Sequence, residues 1–148
     1  MGCVAGDITF VTLAGFHERR DPRDMVLETW TLSRDLNEWV QQGKRLAVAD
    51  LWASESFRER GLPQLTPAFP VLSVDDADVV YVVMNDVENE KRLNDYGEVR
   101  PGKMVHKAHY MLCLNTVQNR VVSFTHVVPD NFRPHFRDVL ATEFSAYL

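Results

Sequence analysis

The stretch Ala77–Asp86, ADVVYVVMND, is the most apolar run of this chain and leaves little freedom in what it folds into. Four valines and a tyrosine stand among the eight residues from Asp78 to Asn85. β-Branched and aromatic side chains lose χ1 freedom in a helix and pack well on a pleated surface, so the run is expected to be a strand and not a buried helix. Its apolar residues fall at odd and even positions alike, as on an inner strand covered on both faces. The rest of the fold must therefore supply neighbours for it.

Those neighbours are also strands. Asp7–Ala14 alternates and stops at Gly15, and Met25–Leu32 resumes the pattern after a polar loop from His17 to Asp24. Ser33–Asn37 reads as a turn, Glu38–Gln41 leads to Gly43, and Lys44–Leu51 is expected to be a further strand. The period then changes. Ser54 suits an N-cap, Glu55 and Glu59 suit a helix start, and Gly61 before Pro63 suits a stop, giving a short helix. Pro63, Pro67 and Pro70 keep the following linker extended, and Val71–Val74 is a short strand before the turn Asp75–Ala77.

Beyond the opening run, Asp86–Lys103 has no apolar period and holds most of the local charge, so it is expected to be a long exposed loop. Ala108–Leu114 and Arg120–Val127 flank Asn115–Asn119 as a hairpin. From Asn131 to Leu148, apolar residues near helical spacing after Pro134 suggest a helix, with an extended return strand as the alternative. Two groups of three or four antiparallel strands recur 50 to 60 residues apart, about the size of a propeller blade.

With 148 residues the chain is read as a single domain, 1–148. A net charge of −5 argues against general binding to nucleic acid or anionic membranes. Cys3 and Cys113 make neither a disulfide framework nor a zinc set, which favours a reducing, cytoplasmic setting. No apolar run approaches the length that spans a bilayer. The start, MGCVAGD, places Gly2 and Cys3 as in a lipidated N-terminus, but Gly6 stands where Ser or Thr is wanted, so an unstructured start is expected.

Chemistry is hard to find in these residues. Of the histidines His17, His106, His109, His126 and His135, only His106 and His109 are closely spaced, and three apart on a strand they are expected to face opposite ways. Cys113 lies in an apolar strand, where a buried, inert thiol is expected. Asp75, Asp76 and Asp78 suit a turn in which Asp side chains cap the backbone. Arg133, His135 and Arg137 are balanced by Asp130, Asp138 and Glu143, and no aromatic residues interleave with a basic stripe. Trp30, Trp39 and Trp52 are expected to anchor the core. Phosphate loops, nucleophile elbows, zinc-protease helices and calcium loops do not occur. No catalytic, cofactor-binding or metal-ligating residue is assigned, and no cofactor is expected.

One resemblance adds to this. Trp30 and Leu32, then Trp39, Asp50-Leu51-Trp52, Gly61-Leu62-Pro63, Pro70 and Asp78-Val79-Val80-Tyr81 follow in an order that resembles the C-terminal part of a plant family expanded in grasses, the domain of unknown function 1618. The resemblance runs over roughly residues 25 to 128. It implies similarity to F-box-associated β-propeller proteins, with no established activity; some grass relatives are implicated in hybrid incompatibility. Relative to that family the N-terminal half is absent and the Asp86–Lys103 segment is long, which implies a truncated propeller-like unit.

The expected fold is thus mainly β, with antiparallel, blade-like sheets, a short helix and a C-terminal helix or strand. Bare sheet edges imply a protein partner or self-association as a homo-oligomer. The function expected is a non-enzymatic protein-interaction module in the cytoplasm, nuclear or organelle-associated only through a partner. In plant reproductive incompatibility such a unit would act as an interfering element. The alternative is a small enzyme with a dispersed site from His109, Asp78 and Cys113.

Overall fold

The computed structural model describes residues 2–4, 7–15, 21–93, 96–97 and 99–128. Two four-stranded antiparallel sheets, each a simple meander, account for most of it. The first sheet joins β1 (Gly2–Val4), β2 (Asp7–Ala14), β3 (Val26–Leu32) and β4 (Trp39–Ala47) in chain order. The second joins β5 (Pro67–Leu72), β6 (Val79–Leu93), β7 (Val99–Asn115) and β8 (Arg120–Val127). Between the sheets come two short helices, α1 (Val48–Ala53) and α2 (Glu55–Glu59). The fold is mainly β with open sheets, as the sequence pattern predicts. The expected C-terminal helix or strand lies outside the described residues, as do His17, Arg133, His135 and Arg137.

Both sheets and both helices share one core. Met25, Leu27 and Leu46 come from the first sheet, and Val48, Leu51, Trp52 and Phe57 from the helices. Leu72, Val80, Val82, Met84, Leu112, Leu114 and Val121 come from the second. Each such buried side chain contributes on the order of 1.5–3 kcal/mol of apolar transfer. On β6 the buried set is Val80, Val82 and Met84, while Val79, Tyr81 and Val83 on the other face are half-buried. The opening run is an inner strand between β5 and β7, but only one of its faces is sealed.

Four expectations need correction. Lys44–Leu51 is not one strand: the chain turns into α1 at Val48, because Val48, Leu51 and Trp52 lie at i, i+3 and i+4 and bury one helical stripe. Val48 N–H donates to the Met25 carbonyl at 2.9 Å, which satisfies one free helix donor from outside the helix. The N-terminus is not unstructured at Gly2–Val4, which pairs with β2 in the register Gly2 to Thr9. The strand expected at Val71–Val74 begins at Pro67, and β5 tolerates Pro67 and Pro70 because it is an edge strand with a register shift between Ala68 and Val71.

The fourth correction concerns Asp86–Lys103. Its described side chains are mostly exposed, as expected, but most of the segment is strand: β6 runs on to Leu93 and β7 begins at Val99. A two-stranded ribbon solvated on both faces has no need of apolar alternation, so its sequence looks like a loop.

Local signals elsewhere hold. Ser54 Oγ accepts from Phe57 N–H at 3.3 Å and caps α2, and Gly61 follows the helix at φ +61°, the left-handed conformation that ends helices. In the turn before β6, Asp76 Oδ1 accepts from Asp78 N–H at 2.9 Å, the self-capping expected of these carboxylates. Ser33 and Asn37 donate to the two oxygens of Asp35 at 2.5 and 3.0 Å across the β3–β4 turn. These bonds hold the Asp35 carboxyl below its ordinary pKa.

Candidate functional site

The β6–β7 hairpin has two unlike halves. Near its base β5 and β8 flank it, and both end at the same level: β5 pairs Pro67 with Met84, and β8 pairs Val127 with His109. Past Asn85 and His109 no described strand flanks the hairpin, and β6 and β7 continue as a ribbon to Leu93 and Val99. Among the described residues nothing pairs with the outward backbone N–H and C=O groups of its two edges, the feature that invites strand addition. In sequence its β6 arm carries Asp86, Glu88 and Glu90 against Lys91 and Arg92, and its β7 arm carries Arg100, Lys103 and Lys107 with no acid. Lys107 Nζ meets Glu88 Oε2 at 2.5 Å, which holds the Glu88 carboxyl below and the Lys107 ammonium above their ordinary values. Met104 is 58% exposed on the ribbon.

Among the described residues, edge β8 is covered only at its start. Val121 N–H donates to Ser56 Oγ at 2.9 Å, and Arg60 Nη2 donates to the Val122 carbonyl at 3.1 Å, so α2 closes the first residues of the strand. From Ser123 to Val127 its side chains are exposed. Within this exposed stretch the His126 ring stacks on Tyr110 at 4.6 Å.

Where base and ribbon meet, the ladder slips. Asp86 pairs with Ala108 but Val87 pairs with His106, so Lys107 is an extra residue on β7. This bulge overturns the expectation that His106 and His109 face opposite ways, because one added residue restores the phase of the alternation. Their rings stack with centroids 5.1 Å apart and an angle of 28°. Ala108 and Leu112 point to the core, so the pair lies on the outer face of the second sheet. Asn85, directly opposite His109, brings its Oδ1 to 2.6 Å from His109 Nδ1. An amide oxygen only accepts, so Nδ1 carries the proton and Nε2 keeps its lone pair. Burial, reinforced by electrostatic repulsion from the neighbouring His106, pushes the His109 pKa below 6.5. Among the described residues, neither His109 Nε2 nor His106 Nδ1, both buried atoms, has a hydrogen-bond partner.

The remaining candidates scatter. Cys113, a half-buried free thiol, shares the outer face of β7 with His109, whereas Asp78 lies in the turn beside Asn115 and Thr116. Six strand residues, about 20 Å, separate that turn from His109, so His109, Asp78 and Cys113 do not converge. The tryptophans divide. Trp52 is buried in the core, but Trp30 and the 39%-exposed Trp39 gather around Phe10, with centroids 6.3 and 4.6 Å from its ring, away from the core-facing Val11 and Leu13. Alternation in β2 and β3 would have found that cluster. Among the described residues no three His, Cys, Asp or Glu side chains form a metal-binding group, and no helix is long and apolar enough to cross a membrane.

A family model described as protein of unknown function (DUF1618) matches residues 1–81. Every residue that carries the resemblance, from Trp30 to Tyr81, falls inside that match, which does not reach the rest of the hairpin or β8. Comparison with the curated proteins and with the solved structures returned no match.

Proposed function

This chain belongs to the DUF1618 family, and from that premise we propose that it is a non-enzymatic protein-interaction module whose partner is a second copy of itself. The ribbon beyond Asn85 and His109 is the contacting element. The observation that carries this reading is the length of β6 and β7 past the ends of both flanking strands. A two-stranded ribbon alone in water is marginally stable, and a third strand along either edge would satisfy its outward backbone groups. The acid-rich β6 arm and the wholly basic β7 arm complement each other between copies. The module works in the cytoplasm. In plant reproductive incompatibility it would interfere by occupying an edge that another chain of its kind needs.

Sedimentation velocity over a concentration series tests this. The full chain is expected to self-associate, whereas a variant with residues 88–104 replaced by an Asn-Gly turn stays monomeric with unchanged circular dichroism. A wild-type chain that sediments as a monomer throughout, or a shortened one that associates equally well, overturns the reading.

A further inference from the structure

The histidine pair carries an inference independent of self-association. Buried polar atoms without partners are uncommon and call for an explanation. Of the four among the described residues, two fall together, His109 Nε2 and His106 Nδ1, on stacked rings brought to one face by the bulge. We propose that His106 and His109 form a two-point site for a transition-metal ion of the zinc, nickel or copper type. Asn85 fixes the His109 ring, and the other coordination positions go to water or to donors from another molecule.

The geometry and the chemistry agree. Two imidazoles sharing a tetrahedral zinc, with metal–nitrogen distances of about 2.0–2.1 Å, hold their ring centroids about 5 Å apart; this pair stands at 5.1 Å, and binding requires its near-parallel rings to turn until both in-plane lone pairs meet the ion. Neutral imidazole is the ligating form, and the buried setting of His109 favours it. A ligating histidine usually gives its other ring N–H to an oxygen acceptor, which fixes tautomer and orientation, and Asn85 does this for His109. Lys107, in the bulge between the two histidines, is bonded to Glu88, which offsets its repulsion of a metal ion. Imidazole donors without thiolates suit zinc, nickel and copper over calcium or magnesium.

Isothermal titration of the metal-free full chain with Zn²⁺ and Ni²⁺ at neutral pH tests the site. Saturable uptake of one ion per chain is expected. His106→Gln and His109→Gln should each abolish it, and Asn85→Ala should weaken it about tenfold. His126→Gln, on the Tyr110 stack, should leave it unchanged. As a readout of position, the ring resonances of His106 and His109 should shift together as Zn²⁺ is added. Absence of saturable uptake by the wild-type chain overturns the proposal, and so does uptake that survives the double His106→Gln, His109→Gln substitution in a variant with unchanged circular dichroism.

Discussion

The base and the ribbon of the β6–β7 hairpin are the same two strands under different conditions. In the base, Val80, Val82, Met84, Leu112 and Leu114 are sealed against the first sheet and the helices, and β5 and β8 satisfy the outward backbone groups. In the ribbon the ladder between β6 and β7 continues, but the side chains with a described environment are mostly exposed and the register slips twice, after Asp86 and after Asn89. Hydrogen bonding is therefore common to both halves, and burial is what distinguishes them. A ladder exchanges water for protein partners with a modest net gain, whereas apolar burial supplies most of the stability.

That contrast is broken or sharpened most strongly by substitution on either side of it. Leu112→Ala in the base should cost about 2–5 kcal/mol, while Met104→Ala on the ribbon should change stability by no more than about 0.5 kcal/mol, both read from urea unfolding. Equal losses would mean that the ribbon is packed after all. A smaller effect tests the flank of the base. Ser54→Ala removes the α2 cap and should cost about 1 kcal/mol, with faster amide exchange at Val121, whose N–H bonds to Ser56 in that helix. Exchange in the ribbon should not change.

The smallest effect probes the seam. The folded His109 pKa lies below 6.5, so the unfolded chain binds more protons at moderately acidic pH. Stability is then full above 6.5 and declines as pH falls from there to the lowered folded value. His109→Gln should flatten that decline in melting temperatures measured across the window. A slope that persists would assign it to other groups.

Much of this architecture was legible in the residues. β-Branched alternation located β2, β3, the base of β6 and the β7–β8 hairpin, and Ser54 with Gly61 located α2. Three features were not legible, each for a physical reason. Val48, Leu51 and Trp52 make one short helical stripe that overlaps an alternating pattern, so α1 was hidden inside an expected strand. The ribbon carries no apolar period because the side chains described on both its faces are mostly exposed. The histidine pair depends on which residue of β7 is left unpaired opposite Asp86 and Val87, and spacing alone does not encode that register. The family match accounts for Trp30 through Tyr81 but not for the pair or the ribbon, which lie past its end.

The prolines of β5 have one more effect. Pro67 and Pro70 carry no amide hydrogen, and Phe69 between them takes φ 52°, so this border of the second sheet cannot template a regular ladder. Among the described residues, the body of that sheet thus has an inert rim at β5 and, past the residues that α2 covers, an open one at β8. Molecules joined β8 to β8 therefore cannot be extended into an open-ended fibre through the β5 rim of this sheet.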